Sequence, residues 1–72
     1  METKDYECFY TEGKNRKMIF NGLAKGMYNA EYDFNTDVFC CVEAATGRIV
    51  MREVGLTARE FDQVIHNINS SL

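Results

Sequence analysis

The sequence predicts a small α+β domain, an antiparallel β-meander of up to five strands with one C-terminal amphipathic helix packed on one face. Three observations predict it. Two runs rich in β-branched residues flank a turn that ends at Gly47. Thr57 and Glu60 form the signature of a helix start ahead of a single apolar stripe. Aromatic residues alternate with polar ones between Tyr28 and Asn35, as in a half-buried strand.

The chain is 72 residues long, which predicts one domain spanning residues 1–72. It is 46% hydrophobic and contains no proline, as expected of a folded protein with one small core. No apolar run approaches the roughly 20 residues that a membrane helix needs, and the first residues lack the apolar segment of a signal peptide. We therefore expect a cytoplasmic protein that does not enter a membrane.

The first strand is expected at Tyr6–Thr11, followed by a turn around Gly13. Residues 16–27 allow two interpretations. In one, Lys17–Asn21 is a second strand and Gly22–Gly26 is a loop. In the other, Asn15 caps a helix and the fold becomes β-α-β-β-α, although each of its two internal glycines would cost about 1 kcal/mol. The alternation that starts at residue 28 favours the strand.

The connection around Thr36 sets which face of the sheet is apolar. A three-residue loop would pair Phe34 with Val38, whereas a two-residue loop at Asn35 and Thr36 would turn every following side chain to the other face. The first choice gathers more apolar area on one side, so we prefer it. The predicted core face then consists of Val38, Cys40, Val42, Val50 and Val54.

The hairpin that follows is predicted from Gly47, which can adopt the left-handed conformation of a type I turn with a G1 bulge. This turn pairs Val38 with Val54, Cys40 with Arg52, and Val42 with Val50.

The C-terminal helix is predicted to begin at Thr57, which with Glu60 forms a capping box. Leu56 and Phe61 occupy the two positions of a hydrophobic staple. The apolar stripe of the helix consists of Phe61, Val64, Ile65, Ile68 and Leu72.

The chemistry-bearing residues predict no metal, no cofactor and no enzymatic activity. Three cysteines cannot all pair, and Cys40 and Cys41 point to opposite faces of a strand, so we expect reduced thiols. Cys8 and His66 complete the soft ligands, but no close-spaced cysteine pair of a zinc site is present. The acidic residues between positions 31 and 43 are expected to form a solvated face.

The preferred register leaves apolar residues on the face opposite the predicted core. These are Phe39, Cys41, Ile49 and Met51. Because exposed apolar patches usually mark an interface, we expect this face to bind another protein or a second copy of the chain. The competing explanation is a sheet that curls into a partial barrel and buries its own ends. The function predicted is a small non-enzymatic interaction module, similar in size and charge to a prokaryotic or phage regulator or inhibitor, acting through the uncovered face or an edge strand.

An alternative function is binding of single-stranded nucleic acid through stacked aromatics and a basic turn. The residues concerned are Lys14, Arg16, Lys17, Tyr10 and Phe20. A net charge of −3 argues against nucleic acid as the main partner, because phosphate binding needs clustered cations.

Overall fold

The computed structural model describes residues 6–70, which form one five-stranded antiparallel sheet and a C-terminal helix. The strands lie in sequence order, so every connection joins neighbours and the α+β meander is confirmed. The elements are β1 (Glu7–Tyr10), β2 (Lys17–Gly22), α1 (Leu23–Gly26), β3 (Tyr28–Asp33), β4 (Val38–Glu43), β5 (Ile49–Val54) and α2 (Ala58–Asn69).

The second strand is confirmed, and the alternative helix over residues 16–27 is wrong. Residues Lys17–Gly22 pair with β1 on one side and β3 on the other. The chain then makes α1, a single turn in which Ala24 and Lys25 have φ values of 53° and 57°. Left-handed backbone is costly for residues with a Cβ, so this turn needs support from elsewhere. Asn69 in α2 supplies part of it, because its Oδ1 accepts the Ala24 N–H at 2.9 Å.

Helix α2 begins as predicted. The Thr57 hydroxyl accepts the Glu60 N–H at 3.1 Å, and the Glu60 carboxylate accepts the Thr57 N–H at 2.9 Å. The backbone hydrogen bond to Glu60 lowers the pKa of its carboxyl group. Ile65 and Ile68 are buried, and the helix ends at Asn69, so the predicted stripe member Leu72 lies outside the described residues.

The predicted connection between β3 and β4 is wrong by one register step. Asp33 pairs with Val38 and Tyr32 with Phe39, whereas we expected Phe34 to pair with Val38. The Asp33 side chain stabilises this turn, because its Oδ1 accepts the N–H groups of Asn35 and Thr36 at 2.8 and 3.3 Å. Asp37 closes the turn with a φ of 59°. Four residues therefore lie between Asp33 and Val38. The two-residue loop at Asn35 and Thr36 would give the same pairing, so the side chains of β4 point as that alternative predicted.

Because of this register, the core lies on the face predicted to be free. Phe39 and Cys41 are fully buried under α2. The Phe61 ring meets the rings of Phe20 and Phe39 at centroid distances of 5.7 and 5.5 Å, which anchors the helix over the centre of the sheet. The valine face predicted as core is the face that α2 leaves uncovered. Val50 is the exception, because a bulge in β5 places it on the helix side.

The hairpin of β4 and β5 keeps two predicted pairs, Val38 with Val54 and Cys40 with Arg52. Gly47 takes the expected left-handed conformation, with a φ of 76°. A β-bulge then shifts the ladder, so Val42 pairs with Ile49 and not with Val50. Val50 is the extra residue of this bulge. Residues directly opposite each other share a face, so Ile49 lies with Val42 on the side away from the helix.

No helix within residues 6–70 has both the length and the apolar character needed to cross a membrane.

Candidate protein-binding surface

The interface residues predicted from the sequence do not share one surface. Phe39 and Cys41 belong to the core, and Met51 is half-buried against it. Ile49 alone is exposed, at 58%, and it lies on the opposite face. The hypothesis that Phe39 and Cys41 bind a partner is therefore wrong, because α2 already covers them.

The exposed apolar surface lies instead on the helix-free side of the last hairpin. Its members pair across the two strands, Val38 with Val54 and Val42 with Ile49, with Cys40 and Arg52 between them. We call this set the β4–β5 surface: Val38, Cys40, Val42, Ile49 and Val54. Val54 is 61% exposed and Ile49 58%, while the β4 members are half-buried.

The centre of the same face is polar. Lys17 on β2 and Glu31 on β3 form an ion pair with an Nζ–Oε2 distance of 3.1 Å. The hydrogen bond to Glu31 raises the pKa of Lys17. This paired charge separates the β4–β5 surface from Phe9, which is 44% exposed on the far edge strand. Ile19 of β2 lies opposite both Phe9 and Glu31 and is half-buried. The most exposed apolar side chains of this face are therefore those of β5, Ile49 and Val54.

Strand β5 is an edge strand of the sheet. Among residues 6–70 only β4 pairs with it, so alternate backbone N–H and C=O groups of β5 face away from the described part of the sheet. Val50 is also exposed, at 43%, on the strand's other side. Apolar side chains therefore flank a free backbone edge.

A shallow apolar groove runs along the helix side of β5. It has a volume of about 220 Å³, and its lining residues are Tyr28, Cys41, Val50, Met51, Asn67 and Ile68. Since α2 forms its other wall, a chain lying against β5 could place a side chain between the strand and the helix.

The residues of the nucleic-acid hypothesis do not come together as one cationic surface. Phe20 is buried against Phe61 and cannot stack on a base, which corrects that part of the hypothesis. Lys17 is engaged with Glu31. The guanidinium of Arg16 lies over the rings of Tyr10 and Phe34, at 5.4 and 5.5 Å from their centroids.

Lys14, the remaining member of that set, is tied into the turn region through its backbone carbonyl, which accepts a hydrogen bond from the Asn35 side chain at 3.1 Å. Its side chain makes no ion pair with another residue of the described range 6–70. Arg16 is therefore held against aromatic rings, and Lys14 is an exposed cation.

The cysteines are distributed over three environments. Cys8 is exposed on β1, Cys40 is half-buried on the helix-free face, and Cys41 is buried. Burial raises the pKa of the Cys41 thiol, which keeps it protonated and unreactive. Cys8 and His66 line a second groove of about 410 Å³ between β1 and α2. Across residues 6–70, no three His, Cys, Asp or Glu side chains are grouped so as to hold a metal ion.

Comparisons of the chain with protein-family models, with curated proteins and with solved structures find no match. The function is accordingly argued from the geometry of the surface.

The sequence argument placed Val38, Val42 and Val54 in the core because it fixed the face by counting apolar area. A local signal was present in Asp33 and Asp37. An aspartate that precedes a turn commonly accepts the backbone N–H two residues on, and Asp tolerates the left-handed conformation. Together these favour the turn that the structure contains.

Proposed function

We propose that this protein is a small non-enzymatic interaction module that binds another protein through β5 and the β4–β5 surface. One observation carries the proposal: β5 combines an open backbone edge with three exposed apolar side chains, Ile49, Val50 and Val54. Burying such a side chain fully contributes about 1.5–3 kcal/mol. A partner that covers them would therefore gain more here than at the polar centre of the face.

The small size of the domain supports the same proposal. A chain of 72 residues has a core that gives only about 3–5 kcal/mol of net stability, so apolar side chains left on the surface add nothing until they are covered. Three free thiols, one of them exposed, fit a reducing compartment. On that ground we propose the cytoplasm as its location.

The experiment is affinity capture from a lysate of the cells that make the protein, comparing wild type with the double variant Ile49→Lys, Val54→Lys. Phe9→Lys is the matched control, because Phe9 is a similarly exposed apolar strand residue at the opposite edge. We expect the partner captured by wild type to be lost with the double variant and retained with Phe9→Lys.

Circular dichroism of all three proteins checks that each is folded. Equal capture by wild type and the folded double variant would contradict the proposal. Loss of the partner with Phe9→Lys alone would move the binding site to the β1 edge.

A further inference from the structure

Strand β5 carries two charges of opposite sign that form no ion pair with the other residues of the range 6–70. Arg52 lies on the helix-free face, opposite Cys40, and Glu53 lies on the helix side, opposite Phe39. Both are exposed. The ion pairs among residues 6–70 join Lys17 to Glu31 and Arg48 to Glu43, so neither charge of the Arg52–Glu53 pair is used within the described range.

This pair of charges disfavours pairing of β5 with a second copy of itself. Two antiparallel copies of β5 at a shared edge would be related by a two-fold axis perpendicular to the sheet. This axis leaves each face of the sheet on the same side, and residues directly opposite each other share a face. One residue of β5 must therefore lie opposite its own copy. If the axis passes beside Arg52 or Glu53, that residue lies directly opposite its own copy, and the two like charges destabilise the pairing. Centring on Met51 places both charges opposite apolar residues and forms no ion pair. The middle of β5 thus has no favourable self-complementary register.

A foreign strand has no such restriction. We infer that β5 accepts an extended segment of another protein by antiparallel strand addition, with an acidic residue opposite Arg52, a basic residue opposite Glu53 and an apolar residue opposite Met51. This inference rests on the function proposed above and names the class of partner. In strand addition, backbone hydrogen bonds supply affinity and alternate side chains supply specificity.

The groove beside β5 gives the third element of recognition. Residues directly opposite each other share a face, so a side chain opposite Met51 points toward the helix. That side holds the groove between Val50 and Ile68, with Cys41 at its base. A volume of about 220 Å³ accommodates one aliphatic side chain of the incoming segment.

The direction of the segment follows from the sheet. All four strand pairs of the described residues are antiparallel, and antiparallel ladders are slightly more stable per residue than parallel ones. The bulge leaves Val50 without an opposite residue, because Met51 and Ile49 pair with two adjacent residues of β4, Cys41 and Val42. Running from the position opposite Val54 to the position opposite Ile49, the matching pattern is therefore apolar, basic, acidic, apolar, apolar. The peptide Val-Lys-Glu-Leu-Val has this pattern.

The test is binding of this labelled peptide to the full chain, measured by fluorescence anisotropy. The control peptide Val-Glu-Lys-Leu-Val has the same composition but places like charges against Arg52 and Glu53. We expect the first peptide to bind about tenfold more tightly, from two cross-strand charge pairs reversed together. The double variant Arg52→Glu, Glu53→Arg should reverse this preference.

Amide chemical shifts locate the site, and we expect the changes at Ile49–Val54 and not at Glu7–Tyr10. Equal binding of the two peptides, no reversal by the charge-swapped protein when circular dichroism shows it folded, or shifts confined to β1 would each overturn the inference. So would a dimer in light scattering that Ile49→Lys with Val54→Lys dissociates, since a second copy would then occupy β5. None of these results affects the lysate capture, which tests the proposed function separately.

Discussion

Thr57 shows how one hydroxyl fixes the start of a helix in this chain. Its Oγ1 accepts the Glu60 N–H at 3.1 Å, and the Glu60 carboxylate returns a hydrogen bond to the Thr57 N–H. Two backbone donors that the helix leaves unpaired are satisfied in this way. The geometry is local, which is why residues 57 and 60 alone were enough to predict it.

Thr57→Ala should therefore lower the free energy of unfolding by about 1 kcal/mol. Thr36→Ala is the control, because the Thr36 hydroxyl makes no hydrogen bond to another residue of the described range while its N–H is used. Urea melts of the three proteins measure the difference. Coincident melts of wild type and Thr57→Ala would show that Thr57 does not cap the helix.

The three thiols should differ in their reaction with a thiol reagent under native conditions. Cys8 is exposed and should react first, whereas Cys41 is buried, has a raised pKa, and should react only when the protein unfolds. The measurement is the number of modified thiols over time by mass spectrometry. Three modified thiols are expected after denaturation. Fast modification of Cys41 in the folded protein would contradict its burial beneath α2.

The elements of the fold could be predicted from the sequence wherever their cause is local. The alternation in β3, the Gly47 turn and the capping box each depend on neighbouring residues. The faces of the sheet could not be predicted, because they depend on whether an even or an odd number of residues separates the paired positions around Thr36, and one step inverts every side chain. The bulge beside Val42 adds a second inversion at Ile49. As a result, only Ile49 of the predicted interface lies in the surface we now propose.

The left-handed turn α1 also escaped sequence analysis, because its support comes from the far end of the chain. Ala24 is fully buried, and its N–H is satisfied by Asn69 Oδ1 across 45 positions. Gly22 donates to Asn29 Oδ1 at 3.1 Å on the other side of the turn. Helix α2 thus holds both the sheet and this turn.

Asn69→Ala should lower the free energy of unfolding by about 1–3 kcal/mol, because it leaves the buried Ala24 N–H without a partner. Asn67→Ala is the matched control on the same helix, since the Asn67 side chain accepts only an exposed hydrogen bond from Gln63. Chemical denaturation measures both. A loss for Asn67→Ala as large as that for Asn69→Ala would mean that the contact with α1 contributes nothing specific.

At the scale of the whole molecule, the sheet has one face closed by α2 and one face whose most exposed apolar residues lie on β5. The closed face is stabilised by aromatic contacts with Phe61, and the open face is divided by the Lys17–Glu31 ion pair. The proposed function depends on this division. A partner can cover the β4–β5 surface without disturbing the core beneath α2.

The most direct test of this division is to compare the free energies of unfolding of two variants at adjacent positions, Phe39→Ser and Val38→Ser. Phe39 is fully buried, so Phe39→Ser should lower the free energy of unfolding by about 3–5 kcal/mol and leave the domain largely unfolded. Val38 faces the open side, so Val38→Ser should lower the free energy of unfolding by about 1 kcal/mol or less, which is the span of strand propensities. A folded Phe39→Ser variant beside an unfolded Val38→Ser variant would contradict the account, because α2 would then cover the valine face.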